Sequence, residues 1–112
     1  MGYYTCHNLT IENNKSDKSI EEIKKLTVEI LRELNLIDYV LEEDLSCSDS
    51  AKWYEHEEDM RKISEQIKDV LFLLEGEGEE SGDVWKEYYL NGKMQRCQAE
   101  LIFPEFDENK LK

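Results

Sequence analysis

The stretch Val84-Trp85-Lys86-Glu87-Tyr88-Tyr89-Leu90-Asn91-Gly92-Lys93-Met94-Gln95-Arg96-Cys97-Gln98 decides the fold. Asn91-Gly92 sits between two β-prone runs, and both positions of a type I′ turn need positive φ, which this pair supplies. A two-residue turn pairs Leu90 with Lys93, Tyr89 with Met94, Glu87 with Arg96 and Trp85 with Gln98. Glu87 opposite Arg96 places unlike charges across the ladder and supports that register. The second run continues to Phe103, and Pro104 ends it because it has no N–H to donate. In this register Val84, Cys97, Ala99, Leu101 and Phe103 share one face, the expected core side beneath helices. Trp85, Tyr89, Met94 and Ile102 share the other, and they are expected to form an apolar patch on an open face.

Upstream, Val70-Leu71-Phe72-Leu73-Leu74 is a short continuous apolar run, the pattern of a buried central strand. The glycine-acid stretch Glu75 to Gly82 is expected to leave it as a loop. Trp53, Met60, Ile63 and Ile67 recur at helical spacing, predicting a helix that begins between Ala51 and Glu57 and ends near Lys68. Its early acids Glu55, Glu57, Glu58 and Asp59 favour the positive end of the helix dipole. Ser19-Ile20-Glu21-Glu22 is a capping box that opens a second amphipathic helix, Ser19 to Leu34, with Asn35 as a left-handed stop. Between the helices, Leu36–Leu41 is a short strand candidate, followed by a polar loop from Glu42 to Ser50. Tyr3 to Ile11 alternates like a strand, and Asn13 to Asp17 turns it. The order predicts an α+β fold: two helices packed on one face of a mainly antiparallel sheet of 4–5 strands, specifically a ferredoxin-like split βαβ with an added strand. Residues 1–104 form one domain in this reading and 105–112 a polar tail.

Charge narrows the function. The chain has 112 residues and a formal net charge of −13. Residues 38–87 hold 17 acids and five bases, a net of −12, so the excess is concentrated in the middle. Lys24-Lys25 is the longest basic cluster, which disfavours direct nucleic-acid binding. No run approaches the roughly 20 apolar residues of a membrane span. The first residues lack the basic and apolar regions of a secretory signal, so a cytoplasmic location is expected. Cys6, Cys47 and Cys97 are odd in number and widely spaced, which favours reduced thiols over a disulfide framework.

Chemistry-bearing motifs are scarce. Glu75, Glu77 and Glu79 alternate like calcium ligands, but an EF-hand loop then needs glycine where Glu80 stands and a glutamate where Lys86 stands. The same glycines lack the Gly-Lys-Ser/Thr of a phosphate loop. His7 and His56 sit beside no recognisable nucleophile, and only Cys6-His7 are neighbours among zinc-type ligands. No enzyme activity, cofactor or metal is therefore expected.

Gly76 to Gln95, with the closing Ile102-Phe103-Pro104-Glu105-Phe106-Asp107, resembles a group of small bacteriophage and prophage proteins. Tyr3-Tyr4-Thr5 and Ser50-Ala51-Lys52-Trp53-Tyr54 are similar to the same group. That resemblance implies a host-defence context, because small acidic phage proteins of the anti-CRISPR and antirestriction kind imitate DNA or cap a nuclease. It carries no catalytic residues. The expectation is an inhibitor of a basic, nucleic-acid-handling host protein, with a CRISPR effector nuclease the favoured target class. Glu75, Glu77, Glu79, Glu80 and Asp83 would supply charge and Trp85 and Tyr89 the anchors. The alternatives are a phage housekeeping protein that assembles through its open sheet face, as a homodimer for example, or a small ligand-binding protein.

Overall fold

The computed structural model describes residues 4–99 and 104–112. Four strands, β1 (Thr5–Asn14), β2 (Val70–Gly78), β3 (Val84–Leu90) and β4 (Lys93–Gln98), form one sheet in the order β1-β2-β3-β4. Every neighbouring pair is antiparallel. Both helices, α1 (Ile20–Glu33) and α2 (His56–Gln66), lie in the single connection between β1 and β2. The fold is α+β, as expected. The ferredoxin-like split βαβ finds no counterpart in this order, because no helix crosses between parallel strands.

The local signals act as their chemistry dictates. Ser19 Oγ accepts from the Glu22 N–H at 3.2 Å and caps α1. Asn35 takes φ 61°, and the N–H of Leu36 returns to the Leu31 carbonyl at 2.9 Å, closing the helix end. Asn91 and Gly92 take φ 50° and 83°, and the hairpin pairs Leu90–Lys93, Tyr89–Met94, Glu87–Arg96 and Trp85–Gln98 as the turn demands.

Four expectations are corrected. Leu36–Leu41 is not a strand. Asn35 and Asp38 both hold positive φ, so the chain curls into turns with isolated bridges at Ile37–Leu41 and Leu41–Cys47. Strand β2 runs through the glycine-acid stretch as far as Gly78, so Glu75 and Glu77 are ladder residues. The faces of the hairpin are sorted as expected but inverted. Trp85, Glu87 and Tyr89 face the core, while Val84 and Cys97 are exposed. The cause is α2: its Ser64 Oγ accepts from the Gly92 N–H at 2.9 Å, and Arg61 donates to the Gly92 carbonyl at 3.1 Å. These bonds hold the helix against the hairpin turn on that side. The expected positions of Tyr3, Leu101, Ile102 and Phe103 lie outside the described residues.

The fourth correction concerns sulfur. Cys6 and Cys47 are disulfide-bonded, with Cα atoms 5.8 Å apart, and Cys97 is free and exposed. The segment before α2 runs along the open edge of β1, with Leu9 N–H bonded to the Leu45 carbonyl and Thr5 and Ala51 exchanging two bonds, each at 2.9 Å. This edge pairing brings together two cysteines that are 41 residues apart in sequence. Closing a loop of that length restricts the unfolded chain by about 4 kcal/mol on the chain-entropy model.

Core side chains from both helices (Ile23, Leu31, Met60, Ile63) and from the inner sheet face (Leu9, Phe72, Leu74, Tyr89) form one cluster. Thr27 within it is satisfied, its hydroxyl donating to the Ile23 carbonyl at 2.7 Å. Pro104 to Lys112 is exposed throughout, with a single 3-10 turn at Glu108–Lys110. No helix among the described residues is long and apolar enough to cross a membrane.

Candidate functional site

Two faces of one sheet carry the chemistry. On the inner face the register lines up His7, Gly76 and Trp85 across three strands. Gly76 matters because it has no side chain. A Cβ there would overlap the six-membered ring of Trp85, so its absence lets the His7 and Trp85 rings meet at 5.8 Å between centroids. Trp53 closes against His7 at 5.3 Å, and His56 stacks on Trp85 at 5.0 Å with 19° between planes. The Trp53 indole N–H donates to Asp59 Oδ2 at 2.8 Å, fixing the ring to the first turn of α2.

Two residues along β3 from Trp85 stands Glu87, fully buried. A buried carboxylate persists only when it is paired and hydrogen-bonded, and Glu87 has three partners. Tyr89 Oη donates to its Oε1 at 2.5 Å, and Arg96 donates to its Oε2 at 2.6 Å. His56 Nδ1 lies 2.8 Å from Oε1, an electrostatic contact rather than a well-aligned hydrogen bond. Burial pushes the Glu87 carboxyl up, but the contacts from His56 and Tyr89 and the Arg96 charge outweigh it and hold it below the usual carboxylate range. Burial, together with the Glu87 carboxylate that Tyr89 faces, raises the Tyr89 phenol. The Arg96 guanidinium also lies 4.8 Å over the Trp85 ring.

His7 is the unusual member. It is 1% exposed, and its Nδ1 has no partner at hydrogen-bond geometry. Desolvation, with His56 alongside, lowers its pKa to about 4, so the ring is neutral at pH 7. His7, Trp53, His56, Trp85 and Arg96 line an open cavity of about 200 Å³ together with Thr5, Ala51, Tyr54 and Asp83. Among the described residues, no group of three or more His, Cys, Asp or Glu side chains is arranged to hold a metal ion.

The expected partner-binding residues divide between the two faces. Trp85 and Tyr89 are buried core residues, Trp85 also bordering the cavity, and cannot anchor a partner from outside. Glu75 and Glu77 point to the outer face, opposite Lys86 and Val84 respectively on β3, and Glu79 and Glu80 continue into the exposed turn. Asp83 is half-buried and lies at the cavity instead. Among the described residues no salt bridge engages Glu75, Glu77 or Glu79. Beyond β1, the Cys6–Cys47 bond ties the loop bearing Glu42, Glu43, Asp44 and Asp49 to the sheet edge, and its Glu43 forms a salt bridge with Arg32 of α1. Within that loop Ser46 bonds Asp44 through both its hydroxyl and its backbone N–H, holding the Asp44 carboxyl below its ordinary range.

His7, Trp53, His56 and Arg96 were not among the expected site residues. The signal for them was partial: the hairpin register gave Glu87–Arg96, and nothing local linked that pair to residues 7, 53 and 56. Comparison with protein-family models, with curated proteins and with solved structures returned no match.

Proposed function

We propose that the protein is an acidic inhibitor of the phage type, acting in the host cytoplasm on a basic, nucleic-acid-handling defence protein. A CRISPR effector nuclease is the favoured target class. One observation carries this reading: Glu75 and Glu77 lie on the outer side of β2 and Glu79 follows in the exposed turn, all three without salt-bridge partners among the described residues. Exposed negative charge gathered on one surface steers a basic partner and makes association salt-dependent. Val84, 42% exposed and directly across from Glu77, offers the apolar contact that the buried Trp85 cannot. In a reducing cytoplasm the Cys6–Cys47 bond is under reductive pressure, yet the backbone bonds Leu9–Leu45 and Thr5–Ala51 still hold the acidic loop to β1.

The test is surface plasmon resonance against purified effector nucleases. Association should slow by about tenfold or more between low and physiological salt, and slow again in a Glu77→Lys/Glu79→Lys/Glu80→Lys protein. Failure to bind any basic effector at low ionic strength removes the reading.

The same face favours a second one. Leu71, Tyr88 and Leu90 form an apolar band at its other end, suited to self-association in a housekeeping role. A concentration-dependent dimer in sedimentation, abolished by Tyr88→Glu, would identify it.

A further inference from the structure

The outer face of the sheet carries opposite charges on its two halves. Both helices pack on the inner face, and Pro104 to Lys112 is exposed throughout, so neither covers the outer one. On β2, Glu77 and Glu75 stand level with Val84 and Lys86 of β3. Between Val84 and Ala99 the one acid is Glu87, which is buried on the inner side. The hairpin therefore presents Lys86 and Lys93 outward and no carboxylate. Among the described residues no salt bridge joins Glu75 to Lys86 within the chain. Apolar groups complete the face: Leu71, Tyr88 and Leu90 line a groove of about 260 Å³, and Leu90 and Val84 are 41% and 42% exposed.

A face with acids on one half and bases on the other is its own complement. Two sheets packed face to face keep their strands within about 30° of each other. A two-fold axis running along the strands, between β2 and β3, lays β2 of each copy over β3 of the other. Levels along the strands are preserved by that operation. Glu75 then meets Lys86 of the second copy, Lys86 meets its Glu75, and Leu71 meets its Leu90. Every contact occurs twice, as an isologous interface requires. The size follows from strand geometry. Four strands about 4.8 Å apart, over the seven positions from Leu71 to Glu77 at about 3.3 Å each, give roughly 450 Å² per copy. About 900 Å² in all falls in the class of weak, reversible interfaces.

We infer that the occupant of the outer face is a second copy of this chain, packed sheet on sheet in a weak two-fold dimer whose register is set by paired Glu75–Lys86 contacts. The inference rests on the self-association reading and adds its axis and register. The dimer covers Glu75, so it and a complex with a basic partner on this face are alternatives.

Sedimentation velocity of the full chain, from about 10 μM to about 1 mM, should show a reversible dimer with a dissociation constant in the micromolar range or weaker. Glu75→Lys and Lys86→Glu each place like charges together at both symmetry-related contacts, and each should weaken the dimer by about tenfold or more. Mixed one to one, the two variants restore unlike charges at both contacts, and they should form a heterodimer within about threefold of the wild-type affinity. Should either variant fail to fold, carbodiimide cross-linking of mixed nitrogen-15-labelled and unlabelled wild-type protein replaces the pair. It should join Glu75 of one copy to Lys86 of the other. A wild-type chain that stays monomeric to about 1 mM, or a dimer that survives Tyr88→Glu, overturns both the inference and the self-association reading. A dimer broken by Tyr88→Glu but indifferent to either charge reversal, not restored on mixing, or cross-linked between copies only at other positions overturns the register alone.

Discussion

The two faces of this sheet handle charge in opposite ways. On the inner face Glu87 is fully buried and fixed by Tyr89, Arg96 and His56. On the outer face Glu77, and in the turn beyond it Glu79, are exposed and have no salt-bridge partner among the described residues. An interior carboxylate is bound to its neighbours by a low-dielectric environment, so it governs stability. A surface carboxylate in water interacts weakly with its own chain and governs encounters with others. The strand alternation that separates Glu77 from Gly76 therefore also separates a stabilising network from the surface we propose for partner binding.

The sharpest way to break the comparison is to remove the inner charge. Glu87→Ala leaves the Tyr89 hydroxyl and Arg96 without their shared acceptor and removes the carboxylate beside His56, and should cost about 4 kcal/mol of unfolding free energy. Urea denaturation measures it, and a loss under about 1 kcal/mol would mean that the network is not coupled to folding.

A second test uses pH. The folded pKa of His7, about 4, lies below its ordinary 6.5. The unfolded chain therefore binds more protons between those values. The stability is complete above pH 6.5 and should decline by about 3 kcal/mol as pH falls to 4. Glu87, whose folded pKa is also lowered, contributes a further loss only below its ordinary 4.5, as pH falls through the folded value. In His7→Phe the decline between pH 6.5 and 4.5 should flatten, and an identical slope in both proteins would assign it elsewhere.

The smallest expected effect lies on the outer face. Glu77→Lys and Glu79→Lys should each change stability by less than about 0.5 kcal/mol, whatever they do to partner association. Thermal unfolding of both variants checks this. A larger change would show that the outer acids are structurally engaged after all.

The parts of the molecule legible in the sequence were those encoded within a few residues. The Ser19 cap, the Asn35 stop, the central strand at Val70 and the full Val84–Gln98 register each rest on contacts between near neighbours. Which face of the hairpin is buried was not legible. Period-two alternation sorts residues into two sets without saying which set the helices cover, and the deciding bonds join Ser64 and Arg61 to Gly92. Residue type gives no help in the same place, because a glutamate and a histidine are seldom core residues, whereas Glu87 and His7 are both buried here. The Cys6–Cys47 pair was hidden for a similar reason: it depends on the 45–51 segment running along the edge of β1, which spacing alone does not reveal. The candidate site combines all three difficulties, drawing on residues 7, 53, 56, 85, 87 and 96.

Gly76 sets a constraint on how this chain can diverge. The indole of Trp85 occupies the space that a side chain at 76 would fill, so the two positions cannot vary independently. A descendant that gains even a methyl group at 76 must shrink or redirect the ring at 85. It would then lose the surface on which both His56 and Arg96 rest. The pair at 76 and 85 should therefore covary as small-with-large, and a sequence with side chains of ordinary size at both would mark a lineage in which the inner cavity has been given up.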